Sequence, residues 1–476
     1  MTRNDRLTAL EAECARLRAE NETLRAIVHG EKSRCAAETR QLHAAQTSVR
    51  HDSPTTDKVA LFRSLFRGRE DVYPVRWESK AGRSGYSPAC GNEWLPGVCE
   101  KPRIKCVDCP NRAFLDVSDD AIYEHLSGRR ILGVYPLLHD DTTWFVAADF
   151  DGSSWRDDAL AYAESCRELG IPASTEISRS GEGAHVWTFF ERPVPASQAR
   201  HIASAAITHA CARHRYLTFA SYDRLFPSQD TLPKGGFGNL IALPLQRQAR
   251  EHMASVFVDN TWRPYSDQWA FLASIERMTP QAVESVLSRA AREDGILGVR
   301  SVNIGEDAVD DPWTLPPSRR RFEPRLIGPL PKAVKVVFAN MLFITKDGLS
   351  AQLIDRLSRL AAFQNPDFYR AQALRLSTFG KPRIIGCAEQ FRTHLALPRG
   401  CADEVHGLMR ECGITIEALD KTNPGVSINA SFCGALRPEQ SRAIDALLAH
   451  QIGVLCAPTA FGKTVVAAAA IAARKV

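Results

Sequence analysis

The chain has 476 residues, 44% of them hydrophobic and 24% charged, and carries a formal net charge of +5. That length exceeds what one hydrophobic core serves and predicts two to three domains. The composition excludes a disordered or collagen-like chain, and the near balance of charges permits an anionic partner without demanding one.

No charged-then-apolar leader opens the sequence, and no apolar run approaches the ~20 residues that span a bilayer. The expectation is a soluble, cytoplasmic protein with no membrane partner. Thirteen cysteines, an odd number scattered over a long chain, argue against a disulfide framework.

In chain order, the segment from Leu7 to Val28 places Leu10, Leu17 and Leu24 at seven-residue spacing, with Leu7, Cys14, Asn21 and Val28 on the alternate seam. This a/d pattern predicts a coiled coil with linker over residues 1–50, and Asn21 on the seam favours a parallel homodimer. From 58 to 311 strands and helices interleave. The runs "RRILGVYPLL" and "TTWFVAADF" around "HDD" predict a hairpin, and "RDDALAYAESCREL" a helix capped by Ser153 or Ser154. The runs "ASTEISRS" and "GAHVWTFF" predict a strand pair. An Ala-rich helix from 196 to 213 and the strands "YLTFASYD" and "GNLIALPL" follow. The order implies an α+β fold with helices on one face of a sheet.

Residues 312–331 carry six prolines and three consecutive arginines, which predicts a stiff linker. Beyond it, within 332–430, the run "LSAQLIDRLSRLAAFQNPDFYRAQALRLSTFGKPRIIGCAEQ" starts as an amphipathic helix and gives way to short mixed elements, and it is similar to the segment that precedes the motor in superfamily 2 helicases. Residues 431–476 predict helix, strand, loop and helix.

Three stretches carry chemistry. Asp149 and Asp151 close an apolar strand, so alternation points both to one face, where hard divalent cations would relieve their repulsion. In "SRSGEGAHVW", Arg179, Ser180, the amides near Gly181 and Gly183, and His185 could together hold phosphate oxygens. Asp223 ends the next strand-like run and competes with Asp230 as a third carboxylate. Lys234 and Asn239 lie in a glycine-rich loop suited to nucleotide or backbone contact. Taken singly, each has a plainer reading as a solvated turn, a hairpin or a structural histidine.

Together these residues resemble the archaeo-eukaryotic primase superfamily, the primase-polymerases. The stretches "SPACGNEWLPGVCEKPRIKCVDCPNRAF", "VAADFDG", "SRSGEGAHVW" and "YDRLFPSQD…GGFGNLIALPLQ" are similar to the primase domains of TOTE conflict systems and CRISPR-associated primase-polymerases. The resemblance covers roughly 62–269. It implies an RRM-like catalytic core in which Asp149, Asp151 and Asp223 hold two Mg2+ or Mn2+ ions. His185, Arg179 and Ser180, with Gly183, Lys234 and Asn239 nearby, would then bind an incoming NTP or dNTP opposite a single-stranded DNA or RNA template. A role in conflict with mobile elements is implied by the resemblance alone.

Cys90, Cys99, Cys106 and Cys109 follow the spacing C-x8-C-x6-C-x2-C, which suits a structural Zn2+ knuckle over 90–109. In "APTAFGKT", Gly462, Lys463 and Thr464 form a phosphate-binding loop between a strand "GVLC" and a helix. With Ala457 in place of the first glycine and Gln440 upstream, it resembles motif I of superfamily 2 helicases. Only 12 residues follow Thr464, so ATPase activity is not expected of this chain. Two other classes compete: an inert nucleic-acid-binding scaffold or helicase accessory domain, and a glycosyltransferase that uses Asp-x-Asp as its metal site.

Overall fold

The computed structural model describes residues 49–213, 224–292, 326 and 329–475. The predicted coiled coil, the strand "YLTFASYD" with Asp223, and most of the 312–331 linker lie outside these residues. The described chain divides into two compact units, one of residues 49–159, 171–195 and 237–281, the other of 160–170, 196–236 and 282–475 in their described parts.

The first unit opens with the helix Thr55–Leu65, which buries Val59, Leu61, Phe62 and Leu65. A hairpin of β1 (Pro74–Glu78) and β2 (Ser84–Pro88) follows, then the helix Asp119–Ser127, whose N-cap Ser118 accepts from the Ala121 amide. The expected hairpin around "HDD" does not form. Its first run yields only β3 (Gly133–Val134), paired with Ile241–Ala242, while the second run is β4 (Thr142–Asp151), paired elsewhere. Pro136 supplies the reason, since it has no N–H to give a ladder and cuts the first run short.

Strand β4 instead pairs antiparallel with β6 (Gly183–Pro195) over nine residue pairs, from Thr142↔Pro195 to Asp151↔Gly183 with a register shift after Thr143. On the far side of β6 runs β5 (Ser174–Ile177), which in turn pairs with Val256–Phe257. The expected pairing of "ASTEISRS" with "GAHVWTFF" is thus present, and the α+β class holds. Alternation places Phe145, Ala147 and Asp149 on the same face as Phe189, Trp187 and His185, their register partners. One end of this face is an aromatic core in which Phe66 meets Trp187 edge-on at 5.1 Å and Phe189 at 5.4 Å. The other end is polar.

One buried polar group in this unit sets an acid limit on stability. His125 is fully buried, with Nδ1 accepting from the Leu132 amide and Nε2 donating to the Pro244 carbonyl. Burial pushes its pKa down to about 4, against the raising effect of the Pro244 carbonyl. A base whose folded pKa is depressed is neutral in the fold and takes up a proton on unfolding. Stability is therefore expected to fall between pH 6.5 and about 4 by about 1.4 kcal/mol per pH unit from this group alone. Urea unfolding across that range, compared with His125→Gln, checks it: the variant should show the shallower slope.

The second unit contains a five-stranded sheet that sequence reading did not anticipate. Its strand order is Glu389–Gln390, His394–Leu397, Leu342–Thr345, Ala333–Phe338, Thr415–Asp420, and only the last pairing is parallel. Val334, Val336, Leu342, Ile344, Leu395 and Leu397 pack against Leu353 and Leu357 of the helix Ala351–Leu360 and against Val405 and Leu408 of the helix Ala402–Glu411. Nearer the C-terminus, the helices Pro438–Leu448 and Lys463–Arg474 share a small cluster of Ile444, Val466 and Ala469. The expected strand "GVLC" between them forms no ladder, and Val454 is 96% exposed. A strand needs a neighbour for its ladder, and among the described residues none lies beside it. No helix among the described residues is long and apolar enough to cross a membrane.

Candidate active site

The polar end of the β4–β6–β5 face is assembled by register. Asp149 on β4 lies opposite His185 on β6, and His185 lies opposite Glu176 on β5. Three strands thereby line up a carboxylate, an imidazole and a second carboxylate. His185 Nδ1 donates to Glu176 Oε2 at 3.0 Å, which leaves Nε2 toward Asp149 Oδ1 at 3.7 Å. The same Glu176 oxygen accepts from Trp187 Nε1 at 2.9 Å.

Glu176 is 1% exposed, so its charge is removed from water and must be compensated locally. Burial alone would lower the His185 pKa. The Glu176 charge and hydrogen bond, joined by the Asp149 charge, outweigh it and hold the pKa above its ordinary value. The site thus favours an imidazolium pinned from behind, with its free edge toward Asp149. Sequence reading missed Glu176. Its signal was a single acid inside the apolar strand "STEI", where alternation turns it to the same face as its register partner His185.

Asp149 is half-buried and Asp151, the last residue of β4, is exposed at the strand end, with the inward-packed Phe150 between them. Around the β5–β6 turn, Gly181 has φ +76° and its amide donates to the Ser178 carbonyl at 3.0 Å. Ser180 Oγ lies 3.0 Å from Ser178 Oγ and accepts from the Glu182 amide at 3.3 Å. Gly183 is needed for close approach: a Cβ there would stand 2.8 Å from the Phe150 carbonyl oxygen and 3.1 Å from Ser178 Oγ. Arg179 lies beside Tyr86 of β2, whose phenol burial pushes up against the opposing effect of Arg179. Asp149, Asp151, Arg179, Ser180, Gly183 and His185 are therefore gathered around the start of β6.

Other predicted residues lie elsewhere. Asn239 precedes the short strand Ile241–Ala242. Lys234 is in the second unit, exposed, with its amide donating to the Arg375 carbonyl at 2.9 Å. Asp230, the competitor for third carboxylate, is also in the second unit. It is ion-paired to the buried Arg200 at 3.1 Å and accepts from Gln372 Nε2 at 3.0 Å. Those bonds give Asp230 a structural occupation, while Asp223 lies outside the described residues.

Two carboxylates at a strand end suit a hard divalent cation, whose ligands are oxygens. Among the described residues, no group of three or more His, Cys, Asp or Glu has the geometry of a metal site.

The cysteine segment is closed at its base by a bridge between Cys90 and Phe114. All four thiols line one cavity, and the Ala113 amide donates to Cys90 Sγ at 3.4 Å. Asn92 Nδ2 to the Asn111 carbonyl and Asn111 Nδ2 to the Val98 carbonyl tie the loop together, and Lys101 pairs with Glu93 at 2.7 Å. The soft thiol set in a shared cavity fits zinc, although the thiols are not drawn into coordination geometry. A zinc held by these thiols would be released, one per chain, by Cys106→Ser or exhaustive chelation, and the melting temperature would fall by several degrees. Metal analysis alongside thermal unfolding checks both.

At the C-terminus, Gly462 has φ +86° and precedes the helix Lys463–Arg474, with Thr464 exposed in its first turn. Lys463 Nζ donates to the Ala457 and Pro458 carbonyls, each at 3.1 Å, so the lysine closes the loop on itself. Gln440 is buried, accepts from the Arg437 amide at 3.0 Å and donates to the Phe461 carbonyl at 2.8 Å. Both ends of its amide group are used to hold the loop.

Residues 57–286 match the model of the archaeo-eukaryotic primase domain of the TOTE conflict system. This stretch, a little under half the chain, is similar to a primase domain of that type. Among solved structures, the chain is similar to the polymerase domain of Ligase D from Mycobacterium tuberculosis in complex with DNA. The identity is 12%, the TM-score 0.24, and the coverage 51% of this chain and 90% of that one. No curated protein matches the chain.

Proposed function

We propose that the chain is a template-directed primase-polymerase that joins an NTP or dNTP to a 3′-hydroxyl, or to a first nucleotide, and releases pyrophosphate. The observation that carries this reading is the aligned row Asp149–His185–Glu176 inside the segment that matches the primase family. Asp149, Asp151 and Asp223 would hold two divalent ions. Bound there, the ions supply activation of the attacking hydroxyl and stabilisation of the leaving group.

The protein's own part is positional and electrostatic. The imidazolium of His185, oriented by Glu176, offers a fixed positive donor to a triphosphate oxygen. Arg179 and Ser180 are placed at the same turn to join it. The four cysteines would bind a structural zinc that stiffens the insertion. The segment 431–476 would be part of a helicase-type nucleotide-binding lobe, with Lys463 leaving its two carbonyls to meet phosphate.

Extension of a labelled primer on single-stranded DNA, with Mn2+ and each nucleotide supplied singly, tests the reading. The product should follow the template base at the first position. Addition independent of template, or no addition with any nucleotide and metal, would remove it. Hydrolysis of nucleotide sugars in the same preparation would favour a glycosyltransferase instead.

A further inference from the structure

Outside the primase domain, residues 368–388 carry four cations, Arg370, Arg375, Lys381 and Arg383, and no acid, in a chain where 55 of 476 residues are acidic. Roughly one residue in nine is therefore acidic overall, so a run of this length without one is a local excess of positive charge. The helix Pro366–Ala373 leads into this stretch, and the strand Ile384–Gly386, paired with Ala362–Gln364, leads out. Between them a turn closes by the Lys381 amide donating to the Thr378 carbonyl at 3.0 Å, with Gly380 at φ +72°.

At the tip of the turn stands Phe379, 95% exposed, with Leu374 at 58% and Leu376 at 54% nearby in sequence. A single exposed apolar residue needs no explanation, but a phenylalanine projected from an acid-free basic loop has the make-up of a base-stacking contact. The loop is also held firmly at its base within the second unit. Thr378 Oγ1 donates to Gln229 Oε1 at 2.9 Å, the Arg375 carbonyl accepts from the Lys234 amide at 2.9 Å, and Gln372 exchanges hydrogen bonds with Asp230 through its side chain. Such anchoring lowers the ordering cost of presenting the tip to a ligand.

We propose that the 374–383 loop is a second single-strand-binding element, in which Phe379 stacks on a base while Arg370 and Lys381, both exposed, meet the phosphates. Positive charge without acid selects a polyanion, and an isolated aromatic tip reaches the face of an unpaired base rather than one inside a duplex. This rests on the reading that the chain handles polynucleotide, and it adds a contact outside the matched domain. The anchoring residues Gln229, Asp230 and Lys234 lie in the segment that follows Asp223 in sequence.

Fluorescence anisotropy of a labelled oligothymidylate, with EDTA present so that no chemistry intervenes, tests it on the full chain. Phe379→Ala is expected to weaken binding about tenfold. Arg370→Glu/Lys381→Glu should lower the slope of log affinity against log salt by about 1.4, the value for two single-strand phosphate contacts. Phe391→Ala, which removes a phenylalanine that is 46% exposed outside the acid-free run, should bind as wild type. All four substituted positions are solvent-facing, so unchanged circular dichroism is expected throughout. Wild-type affinity and slope in both loop variants would overturn the proposal, as would self-association of the wild type that Phe379→Ala abolishes without any oligonucleotide binding. Binding through Phe379 with no nucleotide incorporation would sink the polymerase reading and leave this one standing; incorporation with binding indifferent to Phe379 would do the reverse.

Discussion

Asp149→Asn should reduce nucleotide incorporation by at least about a thousandfold, equivalent to ~4 kcal/mol of transition-state stabilisation, with the fold intact. The substitution keeps the size of the side chain and a hydrogen-bonding oxygen but removes the charge that a divalent ion requires. Because Asp149 is partly exposed at the open end of the sheet, asparagine there meets solvent and needs no repacking. Single-turnover incorporation in Mn2+ and an unfolding curve measured together separate chemistry from stability. A variant that stays within tenfold of wild type would remove Asp149 from the centre.

The second large effect belongs to Glu176. Glu176→Ala deprives His185 Nδ1 and Trp187 Nε1 of their shared acceptor in a buried setting, which should cost about 2–5 kcal/mol of stability. Glu176→Gln keeps an acceptor but not the charge. Its expected signature is a KM for the nucleoside triphosphate raised about tenfold with kcat little changed, since a less readily protonated His185 binds phosphate less well in both ground and transition states. The pH dependence of stability follows from the same pair. The His185 pKa is raised in the fold, so the pair contributes fully below the ordinary histidine range, and that contribution is lost as pH rises through the raised value. Glu176→Gln should remove this loss, which a purely packing role for Glu176 would leave in place.

How much of this was legible in the sequence differs from residue to residue. Asp149 and Asp151 were readable because strand alternation is a local rule, and their run was long and apolar enough to be a strand whatever it paired with. The pairing was not readable. The nearest run in sequence fails at Pro136, and β6 wins the partnership through a long register that only the folded chain displays. His185 could be named from its turn, whereas its orienting partner Glu176 becomes meaningful only once β5 is laid beside β6.

The glycine-rich turn was read for phosphate contact, and the structure adds a packing reason at Gly183 that periodicity cannot reveal. Asp230 competed with Asp223 from its place in the loop after a strand-like run; the partners that hold it, Arg200 and Gln372, lie 30 and 142 residues away. The sheet of 333–420 escaped notice because its strands are short and two of them follow turns with little alternation to mark them. The "GVLC" run shows the opposite failure, since apolar composition predicts a strand but cannot supply the neighbour that makes one.

The central claim is that Asp149, Asp151 and His185 act as one site for metal and triphosphate. Calorimetric titration of a non-hydrolysable nucleoside triphosphate into the protein, with and without Mn2+, tests it most directly. The account predicts binding that Mn2+ strengthens at least about tenfold in wild type, loss of that metal dependence in Asp149→Asn/Asp151→Asn, and weaker binding in His185→Ala. Equal, Mn2+-enhanced affinity in all three proteins would contradict it.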